Sequence, residues 1–160
     1  MIVRRSLTRF FDRFLLALDG EGVGIFQAIV YLHLAGGGAY CALIAGATPP
    51  DVSDVTSPAI NATWLWLCMG ATICLLGKLL AAKPYCRRYW VHTCGLALQL
   101  AGDLFAFGAF WGYVLSIAQT SMWGTPLIAM FVFAGLGDCA ALLVLRDVRR
   151  WQQAERAVRR

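Results

Sequence analysis

Four long apolar blocks constrain this chain more than any other feature. They run at about residues 23–47, 60–82, 89–118 and 125–145. Each holds roughly 20 residues or more, which at a rise of about 1.5 Å per residue crosses a hydrocarbon core of roughly 30 Å. In hydrocarbon every backbone N–H and C=O must be satisfied within the protein, so blocks of this length fold as helices. Composition agrees. Of 160 residues 59% are hydrophobic and only 14% charged, against about 25% charged in soluble domains, and the mean hydropathy is +0.64. The expected fold is all-α: an integral membrane, four-helix transmembrane bundle over 23–146. A soluble enzyme, a secreted disulfide scaffold and a disordered tail are all excluded.

Orientation follows from the basic residues. The 14 Lys and Arg precede the first block (Arg4, Arg5, Arg9, Arg13), end or follow the second (Lys78, Lys83, Arg87, Arg88), or follow the fourth (Arg146, Arg149, Arg150, Arg156, Arg159, Arg160). The connections 48–59 and 119–124 carry none, and the first holds Asp51 and Asp54. All basic residues then lie on one side, which the positive-inside rule makes cytoplasmic. Both termini are expected on the cytoplasmic side of the membrane. The net charge of +5 is therefore a topology signal, and nucleic acid is not an expected partner. Trp64, Trp66, Trp111 and Trp123 fall toward the outer interface, and Tyr85, Tyr89, Trp90 and Trp151 toward the inner one, where amphipathic rings concentrate. The stretch TPPDVSDVTSP reads as an irregular, Pro-broken outer loop.

Both ends read as amphipathic or basic helices. Over 1–22, Val3, Leu7, Phe10, Phe11, Phe14 and Leu18 share one face, with Arg5, Arg9, Asp12 and Arg13 opposite. Such a helix would lie among anionic headgroups, with Gly20, Gly22 and Gly24 as a corner into the first span. Over 147–160 the fourth helix is expected to continue into the cytoplasm with Val148, Trp151, Ala154 and Val158 as a narrow apolar stripe. Arg4, Arg5, Arg9, Arg13, Arg87, Arg88, Arg149 and Arg150 are the residues expected to face lipid or a partner.

Few residues offer chemistry. The six cysteines contain no CxxC, five lie inside apolar blocks and Cys86 sits in a basic loop; neither a disulfide framework nor a zinc site follows. No P-loop, nucleophile motif or metal-binding spacing occurs, so no catalytic residue, metal or cofactor is expected. A haem would need two imidazoles at matching depth. His33 lies near the middle of its block and His92 at the start of its own.

Intramembrane polar residues demand a reason, because charge at the bilayer centre costs roughly 2.5–3.5 kcal/mol on insertion scales. Asp103, Asp138 and His33 fall within about 5 Å of one another in depth, and His92, Gln99 and Asp103 share a helical face. His33, Gln99, Asp103 and Asp138 are therefore the candidate intramembrane cluster. It reads as a proton or cation route, as an interhelical hydrogen-bond cluster, or as a polar face hidden only on oligomerisation. Small residues at four-residue spacing mark the expected helix-packing strips: Gly38, Ala42 and Gly46 in the first block; Gly108, Gly112 and Ser116 in the third; Gly137 and Ala141 in the fourth.

The segments LQLAGD (98–103), SMWGT (121–125) and AALLVLRDVRR (140–150) resemble those of small four-span membrane proteins encoded by actinobacteriophages. The resemblance covers the last two spans best and carries no catalytic residues onto this chain. It implies a phage membrane protein made in a bacterial host, similar to the holins that open the inner membrane on schedule. Most holins are shorter, with one to three spans and more polar tails, and this chain departs from that pattern. Three functions compete: a non-enzymatic, self-associating protein, holin-like in the resemblance; a structural or interaction subunit with a membrane-protein partner; and a small proton- or cation-coupled transporter or channel.

Overall fold

The computed structural model describes residues 21–46, 48–53, 57–81, 89–120 and 126–158. Of the amphipathic helix expected over 1–22, residues 1–20 lie outside them, as do Arg87 and Arg88. Every regular element among the described residues is helical: α1 (Glu21–Tyr40), a π turn (Cys41–Ala45), α2 (Pro50–Ser53), α3 (Pro58–Gly70), α4 (Ile73–Ala81), α5 (Tyr89–Thr120) and α6 (Pro126–Val158). Four stretches are long and apolar enough to cross a membrane, at Gly22–Ala45, Pro58–Ala81, Tyr89–Gln119 and Leu127–Arg156. They mark a multi-pass membrane protein.

Local chemistry sets where the helices stop and start. The first span ends in a π turn closed by Gly46 at φ +63°, a left-handed conformation that glycine adopts without steric cost. Gly22 and Gly24 lie inside α1; the corner expected there is absent, since the helix already runs from Glu21. The connection between the first two spans, expected to be irregular, carries one helical turn. In it Val52 is buried and packs with α2 against α5. Ser57 caps α3 through its hydroxyl, which accepts from the Ile60 N–H at 3.5 Å, and Pro58 follows at the first position.

The second span is broken once. Between α3 and α4, Thr72 N and Oγ1 both donate to Met69 O, at 3.3 and 2.8 Å. A hydroxyl competing for a helix carbonyl is a recognised cause of such bends. The fourth span and the tail as far as Val158 form one unbroken helix.

Neighbouring spans run antiparallel. The pairs Gly77 with Gln99, Gly102 with Cys74, Gly108 with Leu67 and Gly112 with Trp64 have nearly constant number sums, as a fixed antiparallel register requires. On α5 every seventh residue, Gly95, Gly102, Ala109 and Ser116, is small and buried. At Gly77 and Gly95 a Cβ would stand 2.6–2.9 Å from backbone atoms of the facing helix, so the two backbones nearly touch. Trp64 Nε1 bonds Ala109 O across this seam at 2.9 Å.

The packing strips divide on inspection. Gly38 packs on Cys68, Gly108 on Leu67, Gly112 on Trp64 and Gly137 on Trp111. Ala42 and Gly46 do not pack: both are exposed, because the π turn rotates them out of the helical phase that a four-residue spacing assumes. The close approaches to facing backbone atoms are at Gly95 and Gly102, seven residues apart on α5, and at Gly77 opposite them on α4.

Candidate functional site

α1 carries Gln27 and Tyr31 one turn apart on one face, both 2% exposed. That face points at Asp103 of α5, which has no exposed surface. Asp103 follows Gly102, whose bare Cα lets α4 approach until Cys74 Cα lies 2.8 Å from where a Cβ would stand. From the fourth span, Arg146 and Asp147 complete the set, 4% and 1% exposed. All four spans thus contribute to one buried polar network.

Its bonds converge on the Asp103 carboxylate. Oδ1 accepts from Tyr31 Oη at 2.7 Å and from Gln27 Nε2. Gln27 Nε2 also lies 3.1 Å from Cys74 Sγ. Oδ2 faces Arg146 Nη2 at 3.8 Å. Arg146 Nε donates to Asp147 Oδ1 at 2.8 Å, and Arg150 Nη1 stands 3.9 Å from the same oxygen. Lys78, one turn beyond Cys74 and half-buried, donates to Gly24 O at 3.3 Å. Two carboxylates are thus met by Arg146 within the network and by Arg150 at its edge. Burial on this scale is tolerable only because the charges are paired; removing one partner of a buried pair typically costs about 3–5 kcal/mol. Three buried oxygens of the network take no hydrogen bond: Gln27 Oε1, Asp103 Oδ2 and Asp147 Oδ2.

The sequence-derived cluster is therefore only partly assembled. Asp103 and Gln99 are buried one turn apart on α5, and Gln99 sits where Gly77 of α4 meets its backbone N. His33 and Asp138 do not join them; both are exposed on the outside of the molecule. Depth fails for Asp138: Gly137 packs on Trp111 while Arg146 faces Asp103, so Asp138 stands about eight residues, roughly 12 Å along the helix axis, from the level of Asp103; nor does depth fix rotation about the helix axis. On α1 the inward face is the one with Gln27 and Tyr31, and His33, two residues past Tyr31, turns away. On α6 the inward positions are Gly137, Ala140, Leu143 and Asp147, and Asp138 falls outside that phase. His33 Nδ1 is bonded to Ile29 O at 2.8 Å within its own helix.

Sequence reasoning missed Gln27, Tyr31, Arg146 and Asp147. The Gln27–Tyr31 pair carried a signal, an amide and a phenol at i, i+4 inside an apolar block. Arg146 was counted among the topology-setting cations, although it lies one turn past Leu143, in phase with the inward positions Ala140 and Leu143.

Between α1 and α6 runs an apolar crevice. It comprises cavities of about 310 and 540 Å³ that share Val30, Phe110 and Leu136 in their walls. Among the described residues, no group of three His, Cys, Asp or Glu is placed to hold a metal ion. No protein-family model, curated protein or solved structure matches the chain.

Proposed function

We propose that this chain is a non-enzymatic membrane protein that self-associates in a bacterial inner membrane, as a four-helix bundle with both termini cytoplasmic. The observation that carries self-association is Asp138, an exposed carboxylate within the Leu127–Arg156 span. A carboxylate facing hydrocarbon costs roughly 2.5–3.5 kcal/mol, and contact with another copy offers a partner and removes the lipid. Asp103 has no such need, because Tyr31, Gln27 and Arg146 supply it from within the molecule. Orientation rests on the 14 basic residues and the positive-inside rule. Anionic lipid is the surface that the basic ends would meet.

The resemblance to small actinobacteriophage membrane proteins gives this reading its context, a holin-like lesion former. The charges inside one molecule are paired and buried, so the permeation path belongs between copies. The test is to express the protein in bacteria while following membrane potential and dye entry. Abrupt depolarisation with dye entry is expected for the wild type and for Asp103→Asn, and a delayed or lost response for Asp138→Leu. No change with protein present in the membrane would instead favour an interaction subunit docked through its helical ends.

A second reading, passage of a proton or cation, draws on the three network oxygens without hydrogen bonds. A graded change in potential that disappears in Asp103→Asn would favour it over lesion formation.

A further inference from the structure

The outer surface carries two polar groups whose chemistry is complementary, and they sit on different helices. Asp138 of α6 is exposed, and one turn before it Gly135 leaves open space where a Cβ would stand. His33 of α1 is exposed, and one turn after it Gly36 and Gly37 are open in the same way. Each helix therefore presents a polar side chain beside a notch into which another helix backbone fits closely. We propose that copies of this chain assemble by packing the His33 face of α1 in one protomer against the Asp138 face of α6 in the next. The proposal rests on the self-association reading above and names the surface that performs it.

Hydrogen bonding at His33 fixes which atom is offered. A backbone carbonyl only accepts, so Nδ1 carries the proton donated to Ile29 O, and Nε2 is left to the outside. Nε2 and the Asp138 carboxyl need one shared proton between them. Held by either partner, that proton gives a hydrogen-bonded pair with no net charge, which suits a site surrounded by lipid.

Depth agrees. Copies related by rotation about the membrane normal keep every residue at its own depth, so the two groups must already lie at similar levels. His33 and Leu136 line the same cavity between α1 and α6, and Asp138 is two residues beyond Leu136. Side chains on a helix lean toward its N-terminus, and the two helices run in opposite directions. The imidazole and the carboxyl therefore lean toward a common level.

Because the two faces differ, the contact is heterologous: each copy uses its α1 face on one side and its α6 face on the other. Such contacts close into rings or extend into open arrays. A second copy is favoured over an unrelated partner because acid and imidazole are both supplied by this one chain at one depth.

The experiment is to count subunits of the full-length protein in lipid bilayers across dilution. It compares the wild type, His33→Leu, Asp138→Leu and the exchanged double variant His33→Asp with Asp138→His. The Leu variants are compatible with a lipid-facing position, so folding is retained. Each is expected to weaken association about tenfold, and the exchange to return it to within about threefold of wild type. Multimers unchanged in both Leu variants would overturn this contact while leaving self-association standing. A wild type that remains a single copy at all dilutions would overturn both.

Discussion

Asp103 and Asp138 are the same residue type in two neighbouring apolar spans, yet their surroundings give them opposite roles. Asp103 takes hydrogen bonds from Tyr31 and Gln27 and faces Arg146 at 3.8 Å; Asp138 is exposed. Replacing Arg146 by Met leaves the Asp103 charge buried without its countercharge, and a loss of about 3–5 kcal/mol is expected. Asp103→Asn should cost less, about 1–3 kcal/mol, because Arg146 keeps its 2.8 Å bond to Asp147. Combining the two should recover part of the Arg146→Met loss, and a double-mutant cycle of unfolding in mixed micelles measures that coupling. Tyr31→Phe removes one bond and should cost about 0.6–1.7 kcal/mol in the same assay. That Asp103 needs partners was legible in the sequence. Which partners was not, because spacing gives relative phase on one helix, whereas packing sets both the rotation and the axial register between helices. Arg146 was hidden for a further reason: a cation at the end of an apolar block looks the same whether it reaches water or turns back to a carboxylate.

At the scale of elements, the α3/α4–α5 hairpin is held by absent side chains. A Cβ at Gly77 would stand 2.6 Å from Gln99 N and from Gly95 O, both backbone atoms. Gly77→Ala must therefore push the helices apart, with a cost of about 1–3 kcal/mol expected. Gly36→Ala, where the added methyl meets open space, should leave the unfolding of the isolated molecule unchanged. Thermal unfolding of both variants in one detergent tests the contrast. The four apolar helices could be read from block length alone, since hydrocarbon leaves the backbone little choice. The seam that joins them could be read only in part from the four-residue strips: Gly108 and Gly112 do line it, but its closest backbone approaches lie elsewhere. Gly95, Gly102, Ala109 and Ser116 repeat every seventh residue instead. The π turn at Cys41–Ala45 also shifts Ala42 and Gly46 out of the phase that the strip assumed.

Across the whole molecule, the polar groups fall into an inner set and an outer set. The inner set, Gln27, Tyr31, Cys74, Asp103, Arg146 and Asp147, ties the four spans together and is satisfied mainly within one copy. The outer set, His33 and Asp138, has its use between copies. Variants of the inner set should therefore reduce folding and membrane abundance together. Variants of the outer set should leave abundance intact and change only assembly and permeabilisation. The most direct measurement of this division is the number of copies per particle when the wild-type protein is taken from bacterial membranes into native lipid nanodiscs. The account predicts several copies per particle, falling toward one in Asp138→Leu at unchanged yield. A single copy per wild-type particle, with the fold intact, would contradict it.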